Sequence, residues 1–453
     1  MKLPKATPQT KLEPKTPGHP LLWLFAFWFG VVVLKFGNPV IFSSQILPPQ
    51  NFEELWLNAW PVSWGYTLML LPMVLTLKYW RRPTLKFHWL MAAPAVWLLW
   101  QFISSAATVN ATLTNTTLAH FTACALCFYL GLFQPLPTAI RKPMFLGILI
   151  AFVLILVQGL DQHFGGLEEM RDFVKKHWNE LSAEARRQIS TPEFQKKISS
   201  ERIFATYVYP NALAGGILLF LPICVAAVCH LFNWLQWPSR LFLLTILSAA
   251  ALACLYWSGS KAGWLIFLAL GAFAFFHIKL TSRLRLIGVL VLVCLGTTAF
   301  YARYAGYFAK GATSAVARAD YWKCAVQVTV QKPVFGSGPG TFMVEYKNRK
   351  SPEAEMARLA HNDYLEQASD SGLPGFFTYA IAIIGSLGFL YRYRSRECPW
   401  LYLALWLGVA GLAVQSVVEF GLYIPGLAWP FFFLLGYLWN DCSNRIDNPK
   451  PAS

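Results

Sequence analysis

Residues 213–232 read L-A-G-G-I-L-L-F-L-P-I-C-V-A-A-V-C-H-L-F, with no Asp, Glu, Lys or Arg among them. As a helix rising about 1.5 Å per residue, such a run reaches across the ~30 Å apolar core of a bilayer. Hydrocarbon offers no partner for backbone N–H and C=O groups, so the run has to be helical. Comparable runs recur at 21–41, 61–77, 89–107, 118–133, 144–160, 241–256, 264–278, 286–301, 376–391, 401–417 and 425–439. With 213–232 they make about twelve spans of an all-α polytopic membrane protein. Composition agrees: 56% of the 453 residues are hydrophobic and 13% charged, against about 25% charged in soluble domains. Several of the 19 Trp stand at span ends, among them Trp80, Trp100, Trp257 and Trp400, where amphipathic rings anchor to the interface.

The net charge of +16 does not indicate a nucleic-acid partner, because its distribution follows the membrane. Lys2, Lys5, Lys11 and Lys15 precede the first span; Lys78, Arg81, Arg82 and Lys86 follow the second. Arg141 and Lys142, Arg240, then Lys279, Arg283 and Arg285, and finally Arg392, Arg394 and Arg396 mark alternate later loops. The opposite short loops 42–60, 108–117 and 418–424 carry no Lys or Arg. This is the positive-inside pattern, and it sets both termini in the cytoplasm and 161–211 and 302–375 outside.

The chain then divides into a disordered cytoplasmic tail (1–20), five spans (21–160), an external amphipathic loop (161–212), four spans (213–301), a large, partly helical external loop (302–375), three spans (376–440) and a cytoplasmic tail (441–453). The nine Cys give no disulfide framework, since most lie inside spans. In the first external loop, Phe173, His177/Trp178, Leu181 and Ala185 recur at helical spacing, with Phe194 and Ile198 beyond Pro192. They predict short amphipathic helices on the membrane surface. Arg202 follows, then R-I-F-A-T-Y-V-Y-P-N-A-L-A into the sixth span, with Asn211 expected as the N-cap. An Arg beside such a helix end is costly to desolvate and faces a polar cavity.

The second external loop holds the polar block R-A-D-Y-W-K-C-A from Arg318, K-P-V-F-G-S-G-P-G-T-F from Lys332, and L-A-H-N-D-Y-L-E-Q-A-S-D-S-G-L-P-G ending at Gly375. Arg318 with Trp322, the run Pro333-x-x-Gly336-x-Gly338-x-Gly340, and His361-Asn362-x-Tyr364-Leu365 leading to Asp370-x-Gly372 resemble the external loop of the O-antigen ligase and polymerase superfamily. Arg202 with Pro210-Asn211-x-x-Ala214 extends the likeness. So does the turn Ser258-Gly259-Ser260-Lys261, where Lys261 stands in place of that family's usual Arg and supplies a point charge without a bidentate fork. In helical register, His361 and Leu365 share one face and Asn362 and Glu366 another. Gly372, Pro374 and Gly375 are expected to break that helix before the next span.

The resemblance implies a GT-C-like membrane glycosyltransferase in the bacterial inner membrane with its site facing the periplasm. The donor it implies is an undecaprenyl-diphosphate-linked glycan and the acceptor a hydroxyl of lipid A-core, glycan or protein. Arg202, Lys261 and Arg318 are the implied diphosphate ligands and His361 the base, with Asn362, Tyr364, Glu366, Trp322 and Asn211 in support. Cations aimed at a leaving diphosphate stabilise its developing charge, and histidine suits proton transfer near neutrality. Neither a cofactor nor a metal is expected, since no D-x-D, H-E-x-x-H or Walker pattern occurs. Repeat-unit polymerase and protein O-glycosylation share these motifs. An anion transporter is the rival from another class, but it calls for ionisable groups near the bilayer midplane, whereas Lys35, Glu419 and the candidate cations lie near outer span ends.

Overall fold

The computed structural model describes residues 19–77, 88–133, 138–179, 199–278, 280–309, 313–394 and 400–447, with Trp80, Arg186, Ser190 and Gln195. The N-terminal tail to residue 18, the cations at 78, 81, 82 and 86, and the stretch holding Phe194 and Ile198 lie outside the described residues. Every regular element among the described residues is helical. In chain order these are α1 His19–Lys35, α2 Phe52–Leu57, α3 Val62–Thr76, α4 Ala93–Ser104, α5 Ala111–Phe133, α6 Thr138–Asp161 and α7 Leu167–Lys176. After them come α8 Pro210–Leu231, α9 Trp237–Ser258, α10 Lys261–Phe275, α11 Ser282–Ala309, α12 Thr313–Gln331 and α13 Phe342–Arg349. The last are α14 Asp363–Ala380, α15 Ser386–Arg392, α16 Trp400–Gln415 and α17 Pro425–Asp447. Six stretches among the described residues are long and apolar enough to cross a membrane: 111–133, 142–176, 210–231, 237–258, 282–309 and 363–392. Four shorter apolar helices accompany them.

Water drives no helix association within hydrocarbon, so close packing at small residues takes over. On α5, a Cβ at Gly131 would stand 2.2 Å from the carbonyl oxygen of Phe433 on α17; at Gly436, across the same seam, it would stand 2.0 Å from that of Phe128. Gly408 of α16 meets the carbonyl of Leu219 on α8 in the same way. These two seams, with α1 against α6, form the buried centre, where Trp97, Phe121, Phe152, Phe220 and Trp429 are fully enclosed. The apolar side chains of α11, such as Leu286, Ile287, Leu290 and Leu295, are exposed, which suits a lipid-facing helix.

The expected break falls at Gly372, whose non-helical backbone separates two helical segments, the second passing through a π-turn into α15. Gly372 takes φ +71°, open to Gly at little cost. Pro374 has no N–H to give the carbonyl of residue 370, and the N–H of Leu373 turns away to the carbonyl of Pro333 at 2.8 Å. The carbonyls thus released on Ser369 and Asp370 accept the N–H groups of Ser337 (3.0 Å) and Gly338 (2.8 Å). The N–H of Gly340 reaches the Asp370 carboxylate at 2.7 Å. The Pro333–Gly340 run is therefore the complement of the kink. Side chains add a buried link: Gln367 accepts from Trp97 (2.8 Å) and Gln101 (3.0 Å) of α4.

Candidate functional site

Segments far apart in the chain converge on one carboxylate. Glu419 lies in the turn between α16 and α17 and is 6% exposed. Its Oε1 accepts from Arg318 Nη2 and from Asn211 Nδ2, and its Oε2 lies 3.1 Å from Nδ1 of His361. Arg318 also donates through Nε to the carbonyl of Val418 at 3.1 Å. Arg202 joins through Asn211, donating from Nη2 to Oδ1 at 2.8 Å, and through Nε to the carbonyl of Ser258 at 2.7 Å.

Local sequence explains each placement. Pro210 opens α8 at its first position, where a missing N–H costs nothing. The cap residue is Tyr209 and not Asn211, as the sequence suggested. One position into the helix, Asn211 has its amide free to bridge Arg202 and Glu419. Gly259 closes α9 in the left-handed region at φ +62°, a common helix ending. A Cβ there would lie 3.0 Å from Arg202 Nε, so the glycine also makes room for the guanidinium. Ser260 caps α10, its Oγ accepting from the N–H of Gly263 at 3.2 Å, and Lys261 is the first residue of that helix. The Lys261 ammonium sits 3.9 Å from the ring centre of Tyr307 and 4.9 Å from that of Tyr304, within the field of Arg202, Arg318 and Arg303.

His361 precedes α14 and is not part of it, so it does not share a helical face with Leu365. Its φ is +52°, a region costing a non-glycine residue about 1–3 kcal/mol. Anchors on both sides hold it there. Ala360 N–H donates to Glu366 Oε2 at 2.9 Å, and Asp363 N–H to the carbonyl of Ser416 at 2.8 Å. Asn362 caps the helix, accepting from Leu365 N–H at 3.0 Å. Tyr364 donates to the carbonyl of Ala413 at 3.2 Å, tying α14 to the helix that precedes Glu419. The imidazole lies between Tyr321, stacked at 5.8 Å, and Phe420, edge-on at 4.6 Å.

Arg202, Arg318, Asn211 and His361 are thus brought together, with Lys261 in their field. Asn362, Tyr364 and Glu366 hold the backbone that presents His361 and do not face the cations. Trp322 packs against the Tyr321, Phe342 and Tyr346 cluster. Glu419, the residue on which the arrangement turns, was counted in the sequence only as a charge near an outer span end. Its signal was there: it is the only charged residue of 418–424.

Electrostatics fix the protonation pattern. Burial works to raise the Glu419 pKa, but His361 and Arg318 outweigh it and hold the carboxyl below the ordinary glutamate value. Burial lowers the Arg202 pKa from its usual value, with Glu419 opposing the change. An ionised carboxylate only accepts, so Nδ1 of His361 carries the proton shared with Oε2. In the neutral ring Nε2 is then the free base. Such an arrangement can take a proton from a hydroxyl and hold an anion beside it.

A family model described as O-antigen ligase matches residues 243–380, from α9 to the end of α14. That segment carries Lys261, Arg318 and His361 and stops short of Arg202, Asn211 and Glu419. A search of curated proteins finds no match to the chain. With the apolar helices, the family match supports a membrane enzyme of the ligase or polymerase type.

Proposed function

With that match as premise, we propose that the protein is an inner-membrane glycosyltransferase that moves a glycan from a lipid diphosphate, undecaprenyl diphosphate, to an acceptor hydroxyl on the periplasmic side. Among acceptors the ligase reading, lipid A-core, is preferred. The chain crosses the membrane twelve times in this reading, with both termini cytoplasmic. One observation supports it above the rest: the Glu419 carboxylate orders a base, His361, beside two guanidinium groups drawn from separate segments.

The acceptor O–H gives its proton to Nε2 of His361 as its oxygen attacks the anomeric carbon. The bond from that carbon to the phosphate oxygen breaks, and its electron pair leaves with the diphosphate. Arg202, Lys261 and Arg318 hold the charge that develops there, each well-placed donor contributing about 2.7–4 kcal/mol to the transition state. Glu419 keeps Nδ1 protonated and stabilises the imidazolium once formed, as the carboxylate of a hydrolase triad does. Purified full-length protein incubated with glycan-loaded undecaprenyl diphosphate and acceptor should yield glycosylated acceptor and free undecaprenyl diphosphate in equal amounts. Intact donor after prolonged incubation with every candidate acceptor would remove the proposal.

A further inference from the structure

Beyond the cations already described, the outer ends of α9, α10 and α11 bring together Tyr256, Lys261, Arg303, Tyr304 and Tyr307. Tyr304 is 5% exposed, and its hydroxyl has no hydrogen-bond partner among the described residues. Buried hydroxyls are ordinarily satisfied, so an orphan asks for a reason. The cations around it offer N–H donors but no acceptor for its O–H. Lys261 Nζ lies 4.9 Å from the ring centre and Arg303 Cζ 5.6 Å, and Arg303, Arg202 and Tyr256 also act on Tyr304 electrostatically. Lysine and arginine are donors without acceptor capacity. Tyr256 instead presents its ring to Arg303, at 4.8 Å.

The cations themselves are held in an unusual way. Lys261 rests on the faces of Tyr307 and Tyr304, and Arg303 on those of Tyr256 and Tyr304. A ring face attracts a cation through its quadrupole without neutralising it. Their charge therefore stays open to an incoming anion. Tyr307 is pinned in turn, its hydroxyl 2.8 Å from Ser314 Oγ and accepting from the Ala315 N–H at 3.2 Å. A donor hydroxyl without an acceptor, beside cations without a counter-charge among the described residues, is the complement of a phosphate oxygen.

We propose that Tyr304 and Arg303 are ligands of the diphosphate, the Tyr304 hydroxyl donating to a phosphate oxygen that Lys261 and Arg303 neutralise. This rests on the glycosyltransfer reading above and adds two residues from α11 to it. Tyr304→Phe tests the idea cleanly, because it keeps the ring beneath Lys261 and removes only the orphan hydroxyl. Binding to full-length protein in nanodiscs would be measured with undecaprenyl diphosphate and, separately, with inorganic pyrophosphate. Tyr304→Phe should weaken both about tenfold, the scale of a hydrogen bond to a charged group, without lowering the melting temperature. Arg303→Gln should weaken both as well. Unchanged affinity of Tyr304→Phe for both probes overturns the assignment. So does a loss confined to the lipid, which would make the hydroxyl a chain contact. If transfer collapses in His361→Ala while Tyr304→Phe binds and transfers normally, the glycosyltransfer reading survives and this one fails. A wild-type protein that binds neither probe would remove both.

Discussion

Glu419→Gln separates charge and tautomer from shape. The glutamine keeps the volume but presents one oxygen and one NH2 where two oxygens stood. On the Oε1 side, Arg318 Nη2 and Asn211 Nδ2 both donate, so the amide oxygen belongs there. The NH2 then faces Nδ1 of His361, 3.1 Å away, and Nδ1 must accept. The ring's proton moves to Nε2, which stops being a base. An Asp-to-Asn change in a Ser-His-Asp triad costs about 10⁴-fold through the same tautomer error, and loss of general-base help alone costs roughly 10²–10⁴. Transfer by Glu419→Gln should therefore fall by about 10²–10⁴. Stability should fall by about 1.5–3 kcal/mol for the weakened charge-assisted bond. Glu419→Ala, which leaves the Arg318 guanidinium facing a void, should lose about 3–5 kcal/mol. The assay is glycan transfer per folded protein in membranes, paired with detergent-phase melting. Near-normal transfer by Glu419→Gln, with His361→Ala inactive, would refute the tautomer argument.

Other outcomes follow from the same geometry. Because Glu419 titrates below the ordinary glutamate value, its contribution is complete above about pH 4.3 and is lost as pH falls through the lowered value. Melting temperature should drop on that acid limb, and Glu419→Gln should flatten it. Gly372→Ala places a Cβ at φ +71° and 2.1 Å from the Val334 carbonyl oxygen; a loss of about 1–3 kcal/mol from backbone strain alone should appear in thermal melts, with the clash adding to it. Lys261→Arg should retain transfer and Lys261→Ala should lose about 10²–10³-fold of it at unchanged protein level, as read by blotting and transfer together.

Much of the site was legible because its cations and histidine sit in short polar runs between apolar ones. Arg202, Arg318 and His361 were named from the motifs that resemble the family, Lys261 also as the lone cation of a short turn, and the helices follow from apolar run length. The relations among them were not legible. Glu419 lies 58 residues from His361 and 208 from Asn211, and no periodicity reports contacts at such separations. Pattern reading did place a break at Gly372 and Pro374. It could not know that the Pro333–Gly340 run would take up the carbonyls they free. Asn211 misled: its residue type favours a cap, but Pro210 had already claimed the first helical position and moved Asn211 inward.

The most direct measurement is transfer by His361→Ala beside donor binding by the same protein. The account predicts a loss of about 10²–10⁴-fold in transfer per folded molecule, with undecaprenyl diphosphate bound as tightly as in wild type. Near-normal transfer, or a loss matched by an equal loss of folded protein, would contradict it.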